Sequence, residues 1–450
     1  MNEEMEIQEL LLELLRTKQF VKLKETLNTV NPADIALFLS ELEDDELVIA
    51  FRITPKDLAA DTFVDMEPEQ QEQIIHSFTD KELKEVVDEL YVDDAVDIIE
   101  EMPANVVKRI LRTASSDMRR SINMILQYPD DSAGSIMTTE YVRLRADMNV
   151  GDAIRHIRQT GIDKETIYTC YVTDSNRTLL GLVSAKTLLL SDDDEVIGDI
   201  MEANPIYVTT LEDKEIVAQD FEKYDFMALP VVDDERRLVG IVTFDDAIDV
   251  IQEEATEDIE KLAAIVPTDK PYMRTGVFET WKKRIPWLLL LMLSATFTTM
   301  IITGFENALQ AQVILTAFIP MIMGTAGNSG SQASVTVVRG LSLGEIEYRD
   351  TIKVMWKEIR VAVLCGVTLA LATFVKCILF DGTGTSVAIV ISLTLLLAVI
   401  VSKIIGGILP IGASIVGIDP TVMASPFITA IVDALSLLIY FTVASAFLGL

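Results

Sequence analysis

The sequence is poor in cysteine and histidine. Three cysteines (Cys170, Cys365 and Cys377) and two histidines occur among 450 residues. The cysteines have no metal-ligand spacing and no even number for disulfide pairing, so nothing indicates an oxidising compartment. The N-terminus is acidic and is predicted to open an amphipathic helix, so we expect no cleavable signal peptide. These shortages argue against a protein stabilised by zinc or by disulfides.

Basic residues are scarce relative to acidic ones, and this imbalance is confined to the first 285 positions. Of the 70 acidic and 37 basic residues in the chain, 62 and 30 lie there, so this part carries nearly all of the net charge of −33. A surface of that charge repels nucleic acid and anionic lipid headgroups and attracts cations. We therefore expect no nucleic-acid partner, although solubility alone is an alternative reason for the charge.

Residues 1–130 contain an internal repeat. Similar tetrapeptides begin at Asn31, Thr54, Thr79 and Met102, at intervals of 23, 25 and 23 residues. The first two have the features of helix starts, namely a capping Asn or Thr, a proline in the first turn and an acidic residue at the third helical position. Short helices that restart at this period predict an acidic, all-α helical-repeat N-domain with one apolar seam.

A second repeat covers residues 131–252. The segment 171–174 returns 59 residues later as 230–233, and the segment 181–184 returns as 240–243. Each copy predicts strand, helix, strand, turn, strand and helix, which is an α/β unit. The two copies, about 131–192 and 196–252, resemble a tandem pair of CBS domains.

The resemblance to CBS domains implies a nucleotide site. In that family a Thr or Ser followed three residues later by Asp contacts an adenosine nucleotide held between the two units. The second copy keeps this pattern at Thr243 and Asp246, whereas the first has Ser184 without the Asp. The resemblance therefore implies nucleotide binding at Thr243 and Asp246, with ATP as the ligand.

Long hydrophobic runs occur only in residues 285–450. Five are long enough to cross a bilayer: 286–305, 313–338, 361–380, 387–409 and 426–450. Residues 285–450 are therefore predicted to be a five-helix α transmembrane domain, and residues 253–284 an acidic connecting helix. Basic residues precede the first run and lie between the second and third. The positive-inside rule then predicts a cytoplasmic N-terminus and an external C-terminus.

Asp433 is the only charged residue in the last hydrophobic run. A carboxylate near the middle of a bilayer costs roughly 2.5–3.5 kcal/mol on insertion scales, so its side chain must face protein or water rather than lipid. A bound cation is the expected reason for keeping it there. A carboxylate paired with Lys403 of the preceding run or with another polar partner is the alternative.

Glycines and prolines mark two further segments of the hydrophobic part. Gly324, Gly327 and Gly330 interrupt the second run, where glycine permits close backbone approach or carbonyls that line a polar path. A small-residue helix-packing interface is the alternative. Pro410 and Pro420, before the last run, predict broken helices that form a discontinuous pore entrance.

The whole arrangement resembles the MgtE family of magnesium channels. The resemblance rests on the acidic helical repeats, the paired CBS units, Gly-Asn-x-Gly-x-Gln in the second run and the Asp-Pro and Asp of the last. It covers essentially the whole chain. It implies a homodimer in the lipid bilayer of the cell (inner) membrane, with a cytosolic sensor and a pore between the two fifth helices. The implied Mg²⁺ site of the pore consists of Asp433 from both subunits, with Gly327, Asn328 and Thr429 nearby.

The resemblance also gives the acidic residues of the N-terminal half an expected regulatory role. Asp93 and Asp97 lie four residues apart on one predicted helix, and such like charges repel unless a cation bridges them. The regulatory Mg²⁺ sites implied by the resemblance are Asp93, Asp97, Asp213, Glu215, Asp246, Glu254, Glu257, Asp258 and Asp419. High cytosolic Mg²⁺ would bridge the helical array, the CBS pair and the connecting helix and close the pore. A solvated acidic surface is the alternative for each residue.

We interpret the sequence as a Mg²⁺-selective channel that Mg²⁺ itself closes and ATP modulates, with Mg²⁺ as substrate and regulator and with no enzymatic activity. Two other functions stay open. A carrier coupled to Na⁺ or H⁺ would use Asp433 as a protonatable coupling site. A CBS-based, adenylate-sensing membrane receptor would pass no ions.

Overall fold

The computed structural model describes residues 2–268, 272–273, 275–423 and 425–449. The chain divides into two compact units, Met1–Ile251 and Gln252–Leu450. Short helices and two small sheets make up the first unit, and long helices make up the second. The predicted fold class, a helical N-domain followed by an α/β CBS pair and five transmembrane helices, is confirmed. The finer boundaries, at residues 130, 252 and 284, stay predictions.

The first unit begins with an array of short helices. They are α1 (Asn2–Arg16), α2 (Phe20–Leu27), α3 (Pro32–Ser40), α4 (Asp44–Ile53), α5 (Lys56–Val64), α6 (Pro68–Ser77), α7 (Asp80–Val87), α8 (Val92–Glu101), α9 (Ala104–Thr113) and α10 (Ser116–Ile125). From α2 to α10 each helix begins 12 residues after the previous one. The predicted repeat of 23–25 residues therefore spans two helices, because only every second helix start carries the tetrapeptide pattern.

Caps set several of these helix starts. The Asn31 side chain accepts a hydrogen bond from the backbone of Ala33 at 3.0 Å, as predicted. Thr79 and Glu82 form a reciprocal capping box. The prediction of a Thr54 cap is wrong, because Pro55 occupies the cap position and the Thr54 hydroxyl donates back to the carbonyl of Ala50. The apolar faces of the helices share one core that extends into the second CBS copy.

The two CBS copies follow the predicted order of elements. The first consists of β1 (Tyr141–Arg145), α11 (Val150–Thr160), β2 (Thr166–Thr173), β3 (Leu179–Ser184), α12 (Ala185–Leu190), α13 (Ile197–Ile200) and β4 (Glu202–Ala203). The second consists of β5 (Val208–Thr209), α14 (Lys214–Tyr224), β6 (Ala228–Val232), β7 (Leu238–Thr243) and α15 (Phe244–Leu262). The sheet orders are β1-β2-β3-β4 and β5-β6-β7, each with a first pair that is parallel and later pairs that are antiparallel. Tyr141 and Tyr171 of the first copy pack with Ala228 and Ile241 of the second.

The second unit is built from long helices. They are α16 (Val277–Gly304), the short α17 (Glu306–Ala311), α18 (Ile319–Ser342), α19 (Thr351–Leu379), α20 (Thr385–Val416) and α21 (Ser425–Leu448). Short 3-10 helices precede α18 (Val313–Phe318), α19 (Tyr348–Asp350) and α21 (Pro420–Met423). In the described part of the chain, five segments that contain α16, α18, α19, α20 and α21 are long and apolar enough to cross a membrane.

The predicted interruptions at the glycines of α18 and at Pro410 are wrong, whereas Pro420 lies in a break, within the 3-10 helix between α20 and α21. Helix α18 is continuous through Gly324, Gly327 and Gly330, and α20 continues through Pro410 to its end. A helix in a bilayer keeps its backbone hydrogen bonds internal, and neighbouring helices tolerate an occasional glycine or proline. The chain leaves α20 at Gly417, whose φ of +76° ends the helix in the left-handed region.

Candidate functional site

Asp433 lies on α21 and faces a glycine of α18. A β-carbon added at Gly327 would lie 3.6 Å from Oδ1 of Asp433 and 3.0 Å from Cγ2 of Thr429. The hydroxyl oxygens of Ser331 and Thr429 are 3.3 Å apart. The structure therefore brings together three of the four predicted pore residues, and the missing side chain at Gly327 leaves room beside the carboxylate.

The carboxylate of Asp433 is not neutralised by a base. Its Oδ1 is buried and has no hydrogen-bond partner among the described residues. No ion pair joins it to Lys403 within that part of the chain, and Lys403 lies instead in a cavity beside α18 and α19. The alternative of an Asp433–Lys403 pair is therefore wrong. A buried oxygen left without a donor is the kind of group that a bound cation or its water would satisfy.

The packing alternative is correct for another glycine of the same helix. A β-carbon at Gly330 would lie 2.6 Å from the Ser402 hydroxyl, and one at Gly406 would lie 2.2 Å from the carbonyl oxygen of Gly330. The Ser402 hydroxyl also donates to the Ala326 carbonyl. These glycines allow α18 and α20 to approach closely, which supports the helix that carries Gly327.

Asn328, the fourth predicted pore residue, lies on an exposed stripe of α18. Gly324, Asn328, Gln332 and Thr336 recur at every fourth position, and all four are exposed. This spacing places them on one face of the helix. Polar side chains in a membrane-spanning segment must face water or protein rather than lipid. Asn328, Gln332 and Thr336 border an open cavity beside α19 and α20, so this stripe faces water or protein rather than lipid.

A second charged centre lies where α15 ends. The ammonium of Lys261 is 2.6 Å from Glu257 and 2.7 Å from Asp419. Burial lowers the pKa of Lys261, but its hydrogen bonds to the two carboxylates outweigh burial and raise it. Burial raises the pKa of Asp419, yet its hydrogen bonds from Lys261 and Thr421 hold that pKa below its ordinary value. The sequence reasoning missed Lys261, which sits between two predicted Mg²⁺ ligands.

Asp258 completes this centre. Burial, then the charge of Asp419, raises the pKa of Asp258. Glu254 lies one turn earlier on the same helix. Three of the predicted regulatory acids (Glu257, Asp258 and Asp419) thus meet around a single lysine, although they are separated by up to 162 positions in the sequence.

A third centre lies within the first unit and is wholly acidic. Burial, followed by the charges of Asp246 and Asp94, raises the pKa of Asp93 well above its ordinary value. Burial raises the pKa of Asp94 to about 7 and that of Glu165 to about 8, and neighbouring carboxylates add to both shifts. Oδ1 of Asp93 and Oε2 of Glu165 are buried and have no hydrogen-bond partner among the described residues. Asp94 and Glu165 carried no sequence signal, because their clustering depends on the tertiary fold.

The predicted nucleotide residues belong to this acidic centre. Asp246 accepts hydrogen bonds from the backbone and the hydroxyl of Thr243. Burial raises the pKa of Asp246 to about 6, although the Thr243 hydrogen bonds oppose the shift, and Asp245 adds a further negative charge. This surrounding attracts cations and repels free phosphate groups.

The other predicted regulatory acids lie elsewhere in the first unit. Asp97 is exposed on α8. Asp213 caps α14 by accepting a hydrogen bond from the backbone of Glu215 at 2.9 Å. Among the described residues no group of three or more His, Cys, Asp or Glu side chains could hold a metal ion directly. Any Mg²⁺ at these acids would be bound largely through its own waters, which this ion releases reluctantly.

The acidic centre predicts an unusual dependence of stability on pH. The folded-state pKa values of Asp94, Glu165 and Asp246 lie above those of free carboxyls, near 4. The contribution of these protonated carboxyl groups to the free energy of unfolding is therefore fully present below about pH 4, and it is lost as pH rises through 6 to 8. We expect calorimetry of the full chain in detergent and EDTA to give a lower Tm for the first unit at pH 8.5 than at pH 6. Each kcal/mol lost lowers Tm by about 2–4 °C for a unit of this size.

Two comparisons test this expectation. Millimolar Mg²⁺ should restore the Tm at pH 8.5 and have little effect at pH 6, because only ionised carboxylates bind it. The double variant Asp94→Asn, Glu165→Gln should flatten the profile. A Tm that rises with pH in EDTA would contradict the assignment.

The five long apolar helices define the class of this chain, which is a multi-pass membrane protein. A family model described as a divalent cation transporter matches residues 319–443. Models of the MgtE intracellular N domain and of the CBS domain match residues 30–131, 133–192 and 197–253. The chain belongs to the MgtE family of magnesium transporters, as the resemblance predicted.

Relatives and solved structures agree with this assignment. The chain is 34% identical to the magnesium transporter MgtE of Thermus thermophilus, over 94% of each chain, and 31% identical to that of Bacillus subtilis, over 97% of this chain and 96% of the relative. The soluble part of a magnesium transporter, 33% identical, has a TM-score of 0.53 and covers 56% of this chain and 99% of its own. The cytosolic domain of the Mg²⁺ channel MgtE in complex with ATP, 34% identical, has a TM-score of 0.51 and covers 53% and 98%.

Proposed function

We propose that this chain is a Mg²⁺ channel of the cell (inner) membrane, with Asp433 as the ion-binding carboxylate of its pore. The observation that supports this most strongly is the buried Oδ1 of Asp433, which has no partner among the described residues and faces Gly327 and Thr429. Mg²⁺ holds its waters tightly, so a carboxylate with neighbouring hydroxyl and amide oxygens can bind the hydrated ion and release it again. No bond chemistry is involved.

The working assembly is a homodimer. The exposed polar stripe of α18, which includes Asn328 and Gln332, cannot face lipid. A second copy placed against this stripe would enclose a water-filled path and add a second Asp433 carboxylate. Two carboxylates match the charge of one divalent ion. With the N-terminus in the cytoplasm, an inside-negative potential favours Mg²⁺ influx by about 4.6 kcal/mol at 100 mV, twice the figure for a single charge.

Cytosolic Mg²⁺ closes the channel through the two charged centres outside the pore, one around Asp93 and Asp246 and the other around Lys261. At low Mg²⁺ the carboxylates of Asp93, Asp94 and Asp246 repel one another, which destabilises the contact between α8 and the start of α15. Hydrated Mg²⁺ neutralises them and strengthens that contact. At Glu257, Asp258 and Asp419 the ion competes with the ammonium of Lys261 and holds the end of α15 beside the segment that precedes α21. The roles of Asp97, Asp213, Glu215 and Glu254 in this closure stay predictions.

ATP is proposed as a modulator that binds the CBS pair. The support is the relative solved in complex with ATP, which aligns with about half of this chain. The acidic surroundings of Thr243 and Asp246 favour a nucleotide that arrives with its Mg²⁺, because the cation offsets the negative charges on both sides.

A reconstitution experiment tests the function. We expect the purified full chain to give Mg²⁺ influx into liposomes loaded with a Mg²⁺ indicator, and to give unitary currents in excised patches that diminish as Mg²⁺ on the cytoplasmic side reaches millimolar levels. Flux that requires a Na⁺ or H⁺ gradient and gives no unitary steps would support the coupled carrier. An absence of flux together with adenylate binding would support the receptor.

A further inference from the structure

An open cavity with charged, amide and apolar side chains in its lining lies beside the proposed pore site. It has a volume of about 750 Å³ and is bordered by α18, α19 and α20. Its lining includes Asn328, Ser331, Gln332 and Thr336 from α18, with Glu358 from α19 and Lys403 from α20. All three helices belong to segments long and apolar enough to span the membrane. A cavity with this lining is suited to water and ions rather than to lipid chains.

Two oppositely charged residues are almost fully buried in its wall. Glu358 is 7% exposed and Lys403 is 4% exposed. Within the described residues neither forms an ion pair or a hydrogen bond through its charged group, so they do not neutralise each other by direct contact. Burial of a charge in a membrane-spanning helix is costly, and such charges face a partner or a water-filled path. Both charges therefore meet the contents of the cavity.

The cavity adjoins the Asp433 site at Ser331. Ser331 lines the cavity, and its hydroxyl lies 3.3 Å from that of Thr429, which neighbours Asp433 across Gly327. Glu358 lies near the start of α19, at the end of the helix that carries Lys353, Lys357 and Arg360. By the positive-inside rule this is the cytoplasmic end. An ion that leaves Asp433 toward the cytoplasm would meet the cavity next.

We propose that this cavity is a second binding site for the transported divalent cation, in which Glu358 attracts the hydrated ion and Lys403 limits how tightly it is held. The proposal rests on the proposed channel function. With both charges present the site is neutral before the ion arrives, so binding is weak and release is fast, as conduction requires. Without Lys403 the ion would be held too long. Without Glu358 the remaining ammonium would repel it.

Charge-neutralising variants of the full chain test this role. In inside-out patches, Glu358→Gln should lower the Mg²⁺ current about tenfold, which corresponds to an increase of about 1.4 kcal/mol in the free-energy barrier to conduction. Lys403→Gln should strengthen Mg²⁺ binding in the cavity. When K⁺ carries the current in the absence of Mg²⁺, Mg²⁺ added to the cytoplasmic side should block that current at a concentration about tenfold lower than in the parent. The double variant should return toward the parent in both measurements, because it restores a neutral cavity.

Matched controls separate charge from helix stability. Lys357→Gln and Glu345→Gln remove the same charges from exposed positions and should leave current and block unchanged. If Glu358→Gln does not fold, the shifted block in Lys403→Gln still decides the matter. Two outcomes would overturn the cavity proposal alone. One is an equal loss of current in both single variants that the double variant does not recover. The other is an unchanged current in both single variants while Asp433→Asn abolishes it. A parent chain that passes no Mg²⁺ would overturn the channel function with it.

Discussion

Replacing Asp433 with asparagine is expected to reduce Mg²⁺ flux by at least about thirtyfold, since removing one partner of a buried charge interaction costs roughly 2–5 kcal/mol. Asparagine keeps the shape and one oxygen of the side chain but removes the charge that attracts the ion. The oxygen without a hydrogen-bond partner beside Gly327 and Thr429 makes this position the most sensitive in the membrane helices. Asp433→Ala should have the same effect. Indicator-loaded liposomes measure the flux.

The control for this variant is Asp381→Asn. Asp381 is also a carboxylate of the second unit, but it pairs with Lys376 at the end of α19, so its loss should leave Mg²⁺ flux within about twofold of the parent, the range expected for an exposed ion pair. Gel filtration and the melting temperature would establish that both variants fold. Normal uptake by a folded Asp433→Asn protein would remove this residue from the pore.

Neutralising Glu257 and Asp258 together should leave the channel open at millimolar Mg²⁺, with the inhibitory concentration raised at least about tenfold, an effect of about 1.4 kcal/mol. These residues lie with Asp419 around the ammonium of Lys261. Removing two carboxylates leaves too little negative charge to attract the ion. The open probability in inside-out patches, measured against Mg²⁺ on the cytoplasmic side, gives the inhibitory concentration.

Lys261 distinguishes a cation site from a simple ion-pair latch. If Mg²⁺ binds these acids, Lys261→Gln removes a competing cation and should lower the inhibitory Mg²⁺ concentration. If the ion pairs alone hold α15 in place, the same change should open the channel as Glu257→Gln does. The matched control is the pair Glu43→Gln and Asp44→Asn, two adjacent exposed acids of the helical array, which should not alter inhibition. Unchanged inhibition in the Glu257 and Asp258 variant would show that these acids are not sensors.

Local sequence patterns predicted the elements well, and their errors have a common cause. The tetrapeptide pattern identified every second helix start, so the helices were correct but the repeat was twice the 12-residue spacing of the structure. Glycine and proline were taken as helix breakers, yet α18 and α20 pass through them. In both segments a neighbouring helix supplies the packing, which a local pattern does not contain.

Some site residues could be recognised from the sequence, and others only from the tertiary structure. Asp433 was recognisable because a lone charge in an apolar run must have a special surrounding. Glu358 and Lys403 are also charges in such helices, but which cavity they share depends on how three helices pack. Lys261 looked like an ordinary helix-surface lysine until the fold placed Asp419 beside it.

The amino-acid sequence by itself determined the five membrane-length helices, the paired α/β units, the acidic array and the family, because apolar runs, short periods and repeated motifs are properties of neighbouring residues. Only the tertiary structure decided which charges meet: Lys261 with Asp419, Asp93 with Asp246, and Glu358 with Lys403 around one cavity. Those partners are far apart along the chain, and the free energy of a buried charge depends on the atoms that surround it in space.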